Sequence, residues 1–411
     1  MTAVCFEGVE LSEIEFEPSV PEPDEDYQVV DKTPPAWAES WGPRCWLNAK
    51  AAAASQPSLG AEEHHLYTDV QVTSELAAGL EPYSLLNALP FSDMTAPRLI
   101  LRVENHLGVG MRPVDWDERD DSTWFGLSLD EEYAALVSLA TGRRVRSGGM
   151  TREFRNEADA DPRGRPAWWN HRRIALPATN PERTMLPAAL VPLDLVSAKP
   201  LLARLAFMSG KDATRLVRAA RLYQMGVWYS DDDADSSWLR LVSAVEVLAK
   251  DASKPKVEPK ERIRIVWPEL ADLLEAAGDE HFIKTATILK DLVKSNLAFR
   301  EFFKTRLAPP PDHRSDDDLQ VTWTSEVLIA GLDTIYNHRS KSLHGGIPFP
   351  GPLLAPFTGG GFAGAERPPG AIAVGDSNWT EKDLPMTLAV FEYLVGHAIR
   401  TWWIERSPGA P

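Results

Sequence analysis

Cysteine is nearly absent: only Cys5 and Cys45 occur, far apart and without the spacing of a ligand pair. That argues against a disulfide framework and a cysteine-based zinc site, and gives the expectation of a reduced, cytoplasmic protein. Positive charge is also short. Forty-three Lys and Arg against 60 Asp and Glu leave a net charge of −17, which argues against a broad duplex-binding face. A small cleft with local positive charge is still permitted, because an acidic remainder limits non-specific adhesion. No long apolar run is free of charge. The most apolar one, Leu384 to Ile404, contains Glu392, His397 and Arg400, so a buried amphipathic helix is expected there and no membrane partner. The acidic N-terminus lacks a basic stretch followed by an apolar one, so no secretion signal is expected. There is no Gly-rich phosphate loop, no Ser/His/Asp order and no internal repeat.

What is present is a globular composition, with enough apolar sequence over 411 residues for two domains. The first part, residues 1–197, reads as β-rich. Val4 to Phe16 alternates like a half-buried strand or hairpin, and Pro18 to Pro35 reads as an extended connection. Further strand-like runs are His65 to Thr73, Arg98 to Val103, Thr123 to Leu129, Arg143 to Arg146 and Arg172 to Leu176. Between them Leu129 to Thr141 has helical spacing, with Tyr133, Leu136, Val137 and Ala140 on one face.

After Pro187 to Pro200 the pattern becomes helical, and residues 198–406 read as a bundle of about five or six helices. The expected helices are Leu201 to Phe207, Ala213 to Tyr229, Ser237 to Ala252 capped by Asp235 and Ser236, Phe282 to Phe303, Trp323 to His344 and Leu384 to Arg406. Pro268 predicts that Arg262 to Ala277 is kinked or made of two helices. A Gly/Pro-rich insertion, residues 346–379, separates the last two helices; it reads as a surface loop or a lid. The fold class expected is therefore α+β: a β-rich N-terminal domain followed by an all-α bundle.

The segment richest in chemistry is Tyr336-Asn337-His338-Arg339-Ser340-Lys341-Ser342-Leu343-His344-Gly345-Gly346. It ends an apolar-periodic helix and stops at two glycines, a helix-stop signal. His344 then falls in the last turn, where the helix dipole favours imidazolium. Arg339 lies five residues earlier, about 140° away around the axis, so both side chains border a shared cleft without stacking. Spacing alone is uninformative, since Arg165 to His171 and Arg306 to His313 have similar gaps in loop-like sequence.

This string resembles the Apea-like branch of the HEPN superfamily, whose motif is Tyr-x-x-Arg-Ser-x-x-aliphatic-His-Gly near the end of a late bundle helix. The upstream stretches Ala220 to Gln224 and Trp238 to Leu248 are similar too, and the resemblance covers roughly residues 198 to 405. More weakly, Leu136 to Val145 and Gly148 to Arg152 look like the leader domain such proteins carry. Ser340 stands where many catalytic members have Asn, Asp or His. The resemblance implies a dimeric endoribonuclease of anti-phage or toxin-type systems, with two motifs facing each other; the N-terminal domain or the insertion is then expected to sense a trigger.

The residue types fit that chemistry. Cleavage by the RNA 2′-hydroxyl needs proton transfer and charge stabilisation, which His and Arg supply without a metal or another cofactor. Arg339 and His344 are thus the catalytic candidates. Ser340, Asn337 and Glu246 are supporting candidates, with Glu246 either pairing with Arg339 or facing solvent. Lys341 and His338 are RNA-binding candidates. An Arg and a His near a helix end also commonly cap its carbonyls, the alternative in a non-catalytic scaffold. Three weaker metal or RNA signals have bland readings as well: Asp231-Asp232-Asp233 with Asp235 as a capping loop, His64-His65 with Asp69 as a turn, and Lys254 to Arg264 as a solvated linker. Trp168-Trp169 and Trp402-Trp403 read as core before they read as base-stacking platforms.

Overall fold

The computed structural model describes residues 42–88, 98–107, 126–156, 161–167, 172, 174–177, 183–249, 258–315, 317–356, 365–368, 372–374 and 377–409. The expected N-terminal strand, the Pro-rich connection and Trp168-Trp169 lie outside them. The fold is mixed α+β, mostly helical, with one five-stranded antiparallel sheet.

The strands are β1 (Gly60–Tyr67), β2 (Tyr83–Asn87), β3 (Leu99–Asn105), β4 (Arg146–Arg155) and β5 (Arg165–Pro166), in the order β2-β3-β1-β4-β5. Alternation decides their faces: Leu99, Leu101 and Val103 of β3 are buried while Ile100 and Arg102 between them are less so. The short helix α1 (Arg44–Ala53) precedes the sheet, and α2 (Leu129–Thr141) packs against β4. The bounds of α2 coincide with the apolar periodicity. A capping box of Ser128 and Glu131 starts it and Gly142, in the left-handed region at φ 68°, stops it.

Other strand expectations shift. β1 begins before His65 and ends at Tyr67, and Asp69 beyond it turns inward to Arg144. β4 carries the chain through Gly148 and Gly149 to Arg155, far past Arg146. Residues 126–128 and the described part of 172–176 carry no strand.

The helical part contains α3 (Lys199–Leu202), α4 (Gly210–Trp228), α5 (Ala234–Ala249), α6 (Pro259–Val266), α7 (Pro268–Ala277), α8 (Asp279–Ile288), α9 (Lys290–Lys304), α10 (Ser325–Gly345) and α11 (Leu388–Glu405). Residues 201–207, expected as one helix, are the end of α3 followed by a 3-10 turn at Leu205–Phe207. Asp233 caps α5 by accepting the Ser236 N–H at 3.0 Å, which places Asp235 and Ser236 inside the first turn instead of before it. Pro268 opens α7, so that region is two helices. The helix expected over 282–303 is also two, meeting at Leu289.

One apolar cluster runs from the sheet into the bundle, joining Leu66, Leu101, Leu136, Leu216, Val245 and Leu394. It crosses the 197/198 position without interruption. A buried guanidinium reinforces the junction: Arg144 donates to Asp69 at 2.7 Å, to Asp231 at 2.8 Å and to the Val227 carbonyl at 2.9 Å. Ile263, Ala271, Phe282 and Ala286 form a separate small core within α6, α7 and α8.

The insertion after α10 starts as packed structure. Phe349 stacks on Trp238, whose indole N–H donates to the Leu353 carbonyl at 3.1 Å, and a ribbon of β6 (Ile372–Val374) and β7 (Ser377–Trp379) closes it.

Candidate functional site

Helix α10 carries the segment singled out by its composition. Thr324 caps its start, accepting the Val327 N–H at 3.4 Å. Leu328, Leu332, Ile335 and Tyr336 are buried at helical spacing, which anchors the helix beside α5 and α9. Gly346 ends it at φ 63°, a left-handed position that favours glycine; its N–H donates to the Ser342 carbonyl and the Ile347 N–H to the Lys341 carbonyl.

A carboxylate on α5 organises the buried side of the segment. Glu246 Oε2 accepts from Arg339 Nη2 at 2.6 Å, and Glu246 Oε1 accepts from the Tyr336 hydroxyl at 2.8 Å. Both partners of the ion pair are less than one-fifth exposed. At that depth a charge-assisted bond is stronger than a surface pair and fixes direction as well as distance. The Tyr336 ring packs 4.9 Å from Phe299 of α9 and 5.7 Å from the guanidinium carbon of Arg339. Burial, then the charge of Glu246, holds the Tyr336 hydroxyl above its ordinary pKa, so it remains a donor. Three helices therefore fix Arg339. Its Nε is buried and has no partner among the described residues.

The opposite side of α10 is open. Asn337, Lys341 and His344 are exposed and Ser340 is half-buried. Spacings of three, four and seven residues put these four on one stripe. His344, in the last turn, is displaced from Arg339 by about 7.5 Å along the axis and about 140° around it. His338 does not join the stripe. It is buried, its Nε2–H donates to the Asp383 carbonyl at 2.9 Å and its ring lies 5.8 Å from Phe349. Burial lowers its pKa, so the ring is held neutral, and it packs against the start of the insertion. Tyr336 and Asp383 are the partners that residue-type reasoning missed; for Tyr336 the signal was its i−3 position relative to Arg339.

Other candidates are committed elsewhere. Asp231 accepts from Arg144 and from the Met185 N–H, Asp233 caps α5, and Asp235 accepts the Phe349 N–H at 2.8 Å. His64 is buried in β1, facing Glu62 and Asp130, where a turn was expected. Among the described residues no three His, Cys, Asp or Glu side chains gather as a metal site. Lys260 pairs with Asp279 and Arg264 with Glu261 and Glu275, while Lys254 and Lys256 lie outside the described residues. Trp402 and Trp403 are core residues. No described helix is long and apolar enough to cross a membrane. Comparison with protein-family models, with curated proteins and with solved structures gives no match.

Proposed function

We propose that this chain is an endoribonuclease of the Apea-like HEPN type, acting on single-stranded RNA in the cytoplasm as part of an anti-phage or toxin-type system. The observation that carries the reading is the Tyr336–Glu246–Arg339 arrangement, which holds a guanidinium in place five residues before a solvent-facing His344. In this mechanism His344 takes the proton of a ribose 2′-hydroxyl as the 2′-oxygen attacks the adjacent phosphorus. The bond to the 5′-oxygen breaks, and that oxygen is protonated by a second imidazolium. Arg339 offsets the charge that builds on the equatorial oxygens. Ser340, Asn337 and Lys341 bind the strand along the exposed stripe.

One histidine per motif cannot hold both proton-transfer roles at once, so the working unit is a homodimer with two motifs facing each other. The N-terminal half, with its sheet, is the part that answers a phage-derived trigger. A second reading is favoured by one specific contact: the ion pair with Glu246 neutralises Arg339 within a single copy, as a non-catalytic RNA- or protein-binding scaffold would have it.

The variants Arg339→Ala and His344→Ala separate the two. His344→Ala removes an exposed side chain and is expected to keep the parental melting temperature within a few degrees, whereas Arg339→Ala leaves Glu246 without its ion-pair partner and is expected to lower it. Each is also expected to lose about a hundredfold or more in cleavage of single-stranded RNA. Parental rates in the double variant would leave only the scaffold.

A further inference from the structure

Several arginines of this acidic chain are matched by carboxylates. Arg102, Arg144, Arg300, Arg306, Arg314 and Arg339 each hold one within 3.0 Å. Arg146, Arg221 and Arg240 do not. They come from β4, α4 and α5, all three are half-buried, and none forms an ion pair among the described residues.

Their placement is defined by neutral partners. Arg221 donates to Gln224 Oε1 at 2.6 Å, and Gln224 donates in turn to the carbonyl of Val145, the residue before Arg146, at 2.6 Å. Arg146 lies 5.1 Å from the Trp228 ring centroid, with Nη1 3.5 Å from the Tyr229 hydroxyl. Arg240 Nε is buried without a partner among the described residues. The groups feel one another: burial first, and then the charges of Arg146 and, more weakly, Arg240, disfavour protonated Arg221. Two carboxylates act on the cluster, Glu131 on Arg221 and Asp233 on Arg240. Both are used elsewhere. Glu131 binds Arg172 through one oxygen and the Ser128 N–H through the other, and Asp233 caps α5.

Like charges brought together out of water, with their nearest carboxylates engaged elsewhere, are costly unless something else offsets them. We propose that Arg146, Arg221 and Arg240 form a site for a compact polyphosphate, the diphosphate or triphosphate of a small molecule, where the sheet meets α4 and α5. Planar guanidinium forks match phosphate oxygens in pairs, and only a ligand of several charges offsets three of them. An RNA strand instead requires a continuous open basic groove, which a half-buried cluster in a packed junction does not offer. The site lies apart from Arg339 and His344 and its binding is read without cleavage, so its fate is independent of the ribonuclease reading.

The test is calorimetric titration of the full-length protein with inorganic pyrophosphate at low salt, and in parallel with ATP. One site per chain is expected. Its dissociation constant should rise about tenfold or more in Arg221→Gln and in Arg240→Gln, the loss expected for one charge-assisted contact. Arg163→Gln, on the exposed surface, should leave it unchanged. Should Arg221→Gln fail to fold, Arg146→Gln and Arg240→Gln carry the comparison, with melting temperature as the folding control. Binding of both probes in competition assigns a nucleotide polyphosphate, and binding of pyrophosphate alone assigns the inorganic ion; either supports the site. No saturable binding, or affinities untouched by all three substitutions, overturns it. So does binding of a short single-stranded RNA that depends on these arginines while pyrophosphate does not bind.

Discussion

At the residue scale, Glu246 is the side chain on which the site turns. It receives Arg339 and Tyr336 on separate oxygens, so it sets the direction of the guanidinium. It is therefore a positioning residue, and Glu246→Gln tests it. The variant keeps an acceptor but loses the charge, which should cost about 1–2 kcal/mol of stability. RNA cleavage should fall about tenfold in kcat with KM little changed, because the loss is felt where charge develops in the transition state. Glu246→Asp should lie between the two. A purely structural role would move the melting temperature and leave kcat alone. Much of this was legible beforehand. The double glycine marks the end of α10; reading His338 by its residue type as RNA-binding misses its inward place, although the run Leu328, Leu332, Ile335 extends to it. The Glu246 contact was less legible, because it joins residues 93 apart and depends on how α5 meets α10.

At the element scale, sequence and structure agree where local signals are self-sufficient and part where packing decides. Helix α2 carries its own capping box and terminal glycine, and its bounds follow from them. Helices α8 and α9 read as one because no Pro or Gly separates them. They break at Leu289 because Phe282 and Ala286 belong to the small core while Phe299, Phe302 and Phe303 belong to the large one. Helix α2 also bears Glu132, which accepts the Cys45 N–H of α1 at 2.8 Å from a buried position. Burial raises its pKa from 4.5 to about 7, against the opposing pull of the Cys45 amide and Arg44. The folded chain thus keeps a proton that the unfolded chain releases. Glu132 contributes fully below pH 4.5, and the contribution is lost as pH rises toward about 7, to the extent of about 3 kcal/mol. Urea unfolding across that range should show the parent losing stability relative to Glu132→Gln, whose amide does not titrate. Parallel curves for the two proteins would place the Glu132 carboxylate in water.

For the whole molecule, the composition reading of two parts meets a single large core. The sheet and the bundle share apolar residues on both sides of position 197, and Arg144 ties Asp69 after β1 to Asp231 before α5 across them. Neither was legible, since periodicity reports which face of an element is apolar and not which neighbour covers it. A trigger acting on the N-terminal half would therefore reach α5, and with it Glu246, through packed contacts rather than a linker. The central claim, that Arg339 and His344 cleave RNA through its own 2′-hydroxyl, concerns the intact chain and is tested most directly on its products. Full-length protein would be incubated with end-labelled single-stranded RNA in EDTA, and the fragment termini identified. Ends bearing 2′,3′-cyclic phosphate and 5′-hydroxyl, absent with His344→Ala, are the predicted result; intact RNA, or fragments with 5′-phosphate ends, would contradict it.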